Sequence, residues 1–317
     1  MKIADYLKNP EHRQVSFELL PPLKGDNMQK IYQTLDPLME FKPPYINVTY
    51  HREEVVYKKH PNGLLERRTV RKRPGTVAIS AAIKFRYGVD VVPHIICGGF
   101  SREETENALI DLHFLGIHHV LALRGDTQRT ERVFSPEPDG HAHAADLVRQ
   151  IMDMNAGRYL DEELENATPT QFNVGVAGYP EKHEEAPNMQ TDLRFLKEKI
   201  DAGAEYIVTQ MFFENASYYR FVEQCRDHGI HVPVIPGIKP LTSRNQIFTI
   251  PKAFNVEIPE ALATEMEKSR DPQSAWQIGV EWAISQARDL YLHKVPIVHF
   301  YTMGRSDNIR QIVEAVL

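Results

Sequence analysis

Two carboxylates stand where their surroundings give them chemical uses. Glu18 lies inside the apolar run Ser16-Phe17-Glu18-Leu19-Leu20-Pro21-Pro22. An unpaired buried carboxylate is costly, so this one faces a polar interior or has a partner. Burial would raise its pKa and keep it protonated near neutrality, the state a general acid needs. An ion pair with an arginine, made for stability, is the equal alternative. Asp126 ends Leu123-Arg124-Gly125-Asp126, where the glycine lets backbone approach a ligand. Alone, that tetrapeptide reads equally well as a solvated turn.

Other polar groups follow other apolar runs. Gly178-Tyr179-Pro180-Glu181-Lys182-His183 offers a ring and an imidazole at a proline-stiffened turn. Thr209-Gln210-Met211-Phe212-Phe213 joins an amide to apolar side chains, which suits a flat heterocycle or, more plainly, a core amide bonded to backbone. His183 has no carboxylate at clear ligand spacing, and His141 and His143 form a pair without a third partner. Fourteen histidines need no metal to explain them, so no catalytic metal is expected. Neither a Gly-x-Gly-x-x-Gly fingerprint nor a Walker loop occurs, so a nucleotide cofactor would be held by strand ends. Lys239 is placed to act as the Schiff-base lysine of a flavin-free lyase or aldolase, a competing reading.

These groups share one kind of position. Short apolar runs at 15–20, 45–49, 89–96, 119–123, 172–177, 206–209, 232–238 and 296–301 read as strands. At or just beyond their ends stand Glu18, Thr49, His94, Asp126, Tyr179, Gln210, Lys239 and Arg305. Helices are expected near 76–87, 101–115, 143–155, 189–202, 217–228 and 244–250. A first helix carries Ile31, Leu35, Leu38 and Met39, and a last one spans 306–317. Ser101 and Glu104 form a capping box. Two extra helices fill 259–293, broken at Asp271-Pro272. Alternation of strand and helix eight times predicts an α/β fold, a parallel (β/α)8 barrel forming one catalytic domain over 1–317. Strand ends of such a barrel meet at one mouth, so groups far apart in sequence would share a pocket. The long loop 127–141 follows Asp126, the place of a mobile loop over a site.

Residues 51–73 interrupt the pattern. Asn62-Gly63 between two strand-like runs predicts a hairpin inserted after the second strand. It is basic, with Lys58, Lys59, Arg67, Arg68, Arg71, Lys72 and Arg73, but holds only Tyr57 as an aromatic and is diluted by Glu53, Glu54 and Glu66. A solvated ribbon or subunit contact is favoured over a nucleic-acid arm. The 317 residues carry a net charge of −6, are 42% apolar and 25% charged, and so form a soluble protein without general attraction for nucleic acid. Two cysteines are too few for a disulfide framework or an iron–sulfur cluster. No run spans a bilayer, no signal-peptide core appears, and a cytoplasmic home is expected.

Taken together the segments resemble the methylenetetrahydrofolate reductase family. The resemblance rests on Phe17-Glu18-Leu19-Leu20-Pro21-Pro22, Asn47-Val48-Thr49-Tyr50, Pro93-His94, Ala122-Leu123-Arg124-Gly125-Asp126, Gly178-Tyr179-Pro180-Glu181 with His183, and Asp201-Ala202-Gly203-Ala204. Thr209-Gln210-Met211-Phe212-Phe213, Pro236-Gly237-Ile238 and His299-Phe300-Tyr301-Thr302 complete it, in family order across almost the whole chain. It is similar to the catalytic domain only; the regulatory domain of eukaryotic members, which binds S-adenosylmethionine, has no room.

The resemblance implies FAD at the barrel mouth and a ping-pong cycle. NADH or NADPH reduces the flavin, then methylenetetrahydrofolate receives the hydride and becomes 5-methyltetrahydrofolate for methionine synthesis. It implies that Glu18 is the general acid and that Asp126 lies near flavin and pterin. It also places Gln210, Gln246 and Arg305 on folate. For FAD it implies Thr49, His94, Leu123, Arg124, Gly125, Asp126, His143, Ala177, Tyr179, His183, Asp192 and Lys199. His143 stands where some members have tyrosine, and Ile250 where some have phenylalanine over the substrate. An assembly of identical subunits is expected from the family. Because some members work with iron–sulfur subunits, a non-catalytic folate- or flavin-binding subunit is the third reading.

Overall fold

Apolar residues alternate between two destinations along each strand, and that alternation builds the architecture. The computed structural model describes residues 2–9, 11–127, 131 and 133–317. Its strands are β1 (Gln14–Leu19), β2 (Tyr45–Val48), β3 (Glu54–Lys59), β4 (Leu65–Val70), β5 (Asp90–Ile96), β6 (His119–Leu123), β7 (Asn173–Gly178), β8 (Tyr206–Thr209), β9 (Val234–Ile235), β10 (Gly237–Ile238) and β11 (Ile297–Tyr301). Nine of these form one parallel sheet in the order β10-β11-β1-β2-β5-β6-β7-β8-β9. β9 pairs with β8 and β10 with β11, and Pro236 alone separates the two pieces. The strand expected over 232–238 is therefore one position that changes partner at a proline, a residue with no N–H to give the ladder. The barrel ring closes through it.

Outward side chains such as Val15, Phe17, Leu19, Val48, Val176, Ile238 and Phe300 join the main core under the helices. Inward ones, Tyr45, Val92, Leu121, Tyr206, Val208, Ile235 and Ile297, fill the axis. A short helix, α1 (Ile3–Tyr6), closes the floor: Ile3 belongs to the axial cluster, and its N–H donates to Asn173 Oδ1 at 3.0 Å. Four residues hold no readable period, so this plug is not legible from residue spacing.

The outer helices are α2 (Met28–Leu35), α3 (Thr76–Tyr87), α4 (Arg102–Phe114), α5 (Ala144–Asn155), α6 (Met189–Asp201), α7 (Asn215–Asp227), α8 (Gln246–Phe254), α9 (Glu260–Lys268), α10 (Pro272–Leu292) and α11 (Asp307–Val316). Before α4, Ser101 Oγ accepts the Glu104 N–H at 3.2 Å and the Glu104 carboxylate accepts the Ser101 N–H at 2.8 Å, the expected box. Two expectations shift. Met39 lies outside α2, in a separate turn Met39–Phe41, and α8 starts later than expected and runs on through Pro251. Asp271 caps α10 through the Ser274 N–H at 2.7 Å. Helices α8 to α10 enclose a second apolar core of Met211, Phe213, Leu241, Ile247, Ile250, Leu262 and Met266 beside the ends of β8 and β10.

β3 and β4 form the expected hairpin. Its turn takes positive φ at Gly63 and not at Asn62, so it is not the two-residue Asn-Gly type, which needs both. Tyr57, Leu64 and Leu65 are exposed on it. At its base the Lys24 N–H donates to Lys72 O at 2.7 Å, and Arg73 donates to Pro21 O. Among the described residues no helix is long and apolar enough to cross a membrane.

Candidate active site

Glu18 ends up on the inner face of β1, beside Asn47 of β2 and Tyr301 of β11 in register. Its side chain is 16% exposed and lies 3.6 Å from His94 Nε2; among the described residues no arginine pairs with it. Burial pushes its pKa up to about 8. Burial likewise pushes His94 down to about 3, helped by His299 and His51. At neutral pH the contact therefore joins a neutral acid to a neutral imidazole, not two ions. The protonated state follows from the position, and among the described residues the stabilising ion pair with an arginine is absent.

Asp126 is exposed at the start of the loop after β6. Its charge acts on His51 and on Tyr179. Tyr179 in turn acts on Tyr301, which also senses Glu18, while His51 acts on His94, which touches Glu18. Glu18 stands near the carboxyl end of β1 and Asp126 just beyond that of β6, so the two carboxylates lie at the same end of the parallel barrel. Gly125 makes this possible: at φ +87° it turns the chain while a Cβ would meet Ile96 Cδ1 at 3.2 Å.

Along the next strands lie the remaining candidates. The Arg124 guanidinium is held by Glu185 at 2.5 and 2.8 Å and lies 4.9 Å over the Phe134 ring. That pairing raises Arg124 and holds Glu185 below the usual carboxylate range. The Tyr179 ring meets His183 edge-on at 4.7 Å. The His183 N–H donates to Asp192 at 2.9 Å. Lys199 Nζ donates to Ala177 O at 2.7 Å, and burial pushes its pKa down to about 8. Thr49 Oγ1 sits 3.3 Å from Leu19 O and 3.4 Å from His51 Nε2. Leu123 O accepts the Cys97 N–H. His143 is exposed in front of α5 and caps nothing there.

Gln210 Oε1 accepts the Met211 N–H at 2.9 Å, and Gln246 Oε1 accepts the Thr242 N–H at 2.6 Å. Both amides thus have their oxygens occupied by backbone, and among the described residues their NH2 groups are left to donate. The Arg305 side chain is exposed and makes no hydrogen bond or ion pair among the described residues. Lys239 is 6% exposed, has no partner there either, and is pushed down to about 8 by burial. Among the described residues no group of three His, Cys, Asp or Glu could hold a metal.

Residues 128–130 and 132, in the expected loop over the site, lie outside the described residues. Of its described part, Glu131 and Glu137 accept from Arg52 at 3.4 and 2.9 Å. Sequence reasoning missed Arg52, Glu185, Phe134 and His51, whose roles come from contacts between distant loops. It also missed the polar floor of Ser16, Asn47 and His299. The signal for that floor was available: polar residues recur two apart within apolar strands, at Ser16 and Glu18, Asn47 and Thr49, His299 and Tyr301.

Compared with known proteins, the chain matches the methylenetetrahydrofolate reductase family over residues 2–316. It is 32% identical over 294 residues to the 5,10-methylenetetrahydrofolate reductase of Pectobacterium carotovorum subsp. carotovorum, covering 92% of this chain and 86% of that one. The Escherichia coli (strain K12) protein of that name is 31% identical, with 92% and 87% covered. A probable methylenetetrahydrofolate reductase (NADPH) of Caenorhabditis elegans is 30% identical, but this chain spans only 42% of its length. A solved Clostridium thermocellum protein that binds two copies of 5-methyl-5,6,7,8-tetrahydrofolic acid shares the fold, with a TM-score of 0.58, 14% identity and coverage of 98% and 97%. The chain belongs to the methylenetetrahydrofolate reductase family.

Proposed function

We propose that this chain reduces 5,10-methylenetetrahydrofolate to 5-methyltetrahydrofolate with NADH or NADPH, through FAD, in a ping-pong cycle that serves methionine synthesis. What supports this reading is Glu18: a buried carboxyl near the carboxyl end of β1, 3.6 Å from His94 Nε2, whose pKa burial pushes up to about 8. Opening the substrate's five-membered ring requires a proton on the departing nitrogen, and Glu18 supplies it. The opened ring is an iminium cation, which the Asp126 carboxylate favours electrostatically. The free NH2 groups of Gln210 and Gln246 donate to the folate, and Arg305 meets its carboxylate.

The residues present fit the cofactor. Arg124 and Lys199 are cations suited to a diphosphate, Asp192 is a buried acceptor suited to a hydroxyl, and Gly125 leaves room for close approach. Thr49, His94, Leu123, Asp126, His143, Ala177, Tyr179 and His183 complete the set that would hold FAD. When bound, FAD would supply the hydride relay between nicotinamide and folate. The protein's own share is to exclude water, orient the pterin and hold one proton at Glu18.

The test is an absorbance spectrum of purified protein, followed by anaerobic bleaching with NADH and recolouring with methylenetetrahydrofolate. A colourless protein that takes up no FAD would overturn the reading. A second reading, the lyase, draws on Lys239, a buried amine without a partner among the described residues and pushed down to about 8; it predicts covalent trapping at Lys239 by borohydride with substrate.

A further inference from the structure

Polar side chains from three adjacent strands converge on one nitrogen beside the candidate acid. Asn47 of β2 is the register partner of Glu18 on β1, so the two side chains lie on the same face of the sheet. Asn47 Nδ2 stands 3.5 Å from His94 Nε2 of β5, and Glu18 Oε2 stands 3.6 Å from that same nitrogen. Asn47 is only 1% exposed, so bulk water does not solvate its amide.

An amide has a donor end and an acceptor end, and both need partners when buried. The NH2 end has His94 Nε2, which can accept because burial keeps the imidazole neutral. The carbonyl end has nothing: among the described residues no N–H or hydroxyl reaches the buried Asn47 Oδ1. Folded proteins rarely leave a buried acceptor bare. Its neighbour on β1 is a carboxyl, which only accepts when ionised but carries an O–H when protonated. Glu18 is therefore a donor in the one protonation state that its chemistry requires.

We propose that Asn47 is a positioning residue for the acid: its Oδ1 accepts a hydrogen bond from the protonated Glu18 carboxyl, while His94 holds the amide in the orientation that allows it. The catalytic role rests on Glu18 being the acid of folate reduction; the hydrogen bond itself does not. That bond favours the neutral carboxyl, and the same lone pair repels the carboxylate, so both effects keep the proton on Glu18. When the departing nitrogen of the folate arrives, the Glu18 O–H bond breaks as an N–H bond forms there. The other titratable groups that face Glu18 are engaged elsewhere. His94 Nε2 has the amide, and Tyr301 of β11 donates to Thr209 O at 2.5 Å. His51 and His299 act on His94.

The experiment replaces Asn47 by leucine, close in shape but without an acceptor, in the FAD-loaded enzyme. Infrared spectra across pH follow the carboxylic C=O band that Glu18→Gln removes. Stopped-flow reoxidation of the reduced enzyme by methylenetetrahydrofolate gives the pH at which folate reduction breaks. Leucine desolvates Glu18 no less than asparagine does, so burial alone predicts that both midpoints hold or rise. Loss of the acceptor predicts that both fall by about one pH unit, a roughly tenfold smaller acid fraction above the break. Midpoints that hold or rise would overturn the proposal. So would an equal loss in folate reduction and in flavin reduction by NADH without any shift, the mark of a structural role. If Asn47→Leu does not fold, Asn47→Val and Asn47→Thr decide instead. These two are alike in shape and differ by one hydroxyl, so the Thr midpoints should lie above the Val ones, and equal midpoints would end the idea. Failure of the underlying reading looks different. Glu18→Gln would then leave folate reduction intact and remove the catalytic role, while the infrared midpoint of Glu18 would still fall in Asn47→Leu.

Discussion

At Glu18 one physical fact, burial without a counter-ion, sets both reactivity and a cost. With its pKa raised to about 8, the acid form prevails below that pH and is lost above it. Folate reduction should therefore fall about tenfold per pH unit above pH 8, while flavin reduction by NADH, which needs no proton from Glu18, stays level. Stopped-flow rates of the two half-reactions check this. Glu18→Gln should lower folate reduction by about 100-fold or more at every pH and spare flavin reduction; equal loss in both would refute the assignment.

The same shift has a stability consequence. The unfolded carboxyl ionises near 4.5 and the folded one near 8, so its favourable contribution is full below 4.5 and gone above 8. Wild type should lose stability relative to Glu18→Gln across that window, by at most about 1.4 kcal/mol per pH unit, read as diverging melting temperatures. The choice between acid and ion pair was not legible in the sequence. It turned on whether an arginine reached residue 18, and the neighbour that did, His94, comes from a strand some seventy-five residues on.

At the scale of elements, local signals were readable where they were local. The Ser101-Glu104 box and the Asp271-Pro272 break act within one helical turn, and both helices start where those residues require. α8 was harder, because the apolar face of Ile247 and Ile250 packs into the second core and carries the helix through Pro251. Tertiary burial there outweighs the cost of proline in a helix. The seventh strand was misread in the same way: its apolar run is continuous, but its two halves serve different neighbours. α10 shows how the extra helices bear on the site. A Cβ at Gly279 would lie 1.8 Å from Leu241 O, in the segment leading from Lys239 to Gln246. Gly279→Ala must push that segment or the helix aside. We expect a loss of about 3 kcal/mol in urea unfolding and a raised KM for folate. An unchanged unfolding midpoint would mean that α10 does not press on the site.

For the whole molecule, the barrel was legible because its eight apolar runs are each followed by a polar residue, a pattern that survives at any sequence distance. The hairpin was legible as an insertion, but its place in the assembly was not, since nothing local says what its apolar tip meets. Its energetics can be argued from the cores. No residue of β3 or β4 enters any of the three apolar clusters, and two-stranded ribbons alone are marginally stable. What holds it is its base, where Lys24, Arg52 and Arg73 tie it to neighbouring loops. Replacing 54–70 by a short Gly-Ser turn should therefore leave the unfolding free energy within about 1 kcal/mol of wild type, because almost no apolar area is lost from the cores. Flavin reduction by NADH should also persist within about twofold, since none of the proposed cofactor residues lies in 54–70. A drop of several degrees in melting temperature that deepens on dilution would contradict this independence. It would show that the exposed Tyr57, Leu64 and Leu65 are buried against a second copy of the chain, and that the hairpin belongs to the assembly rather than to the barrel.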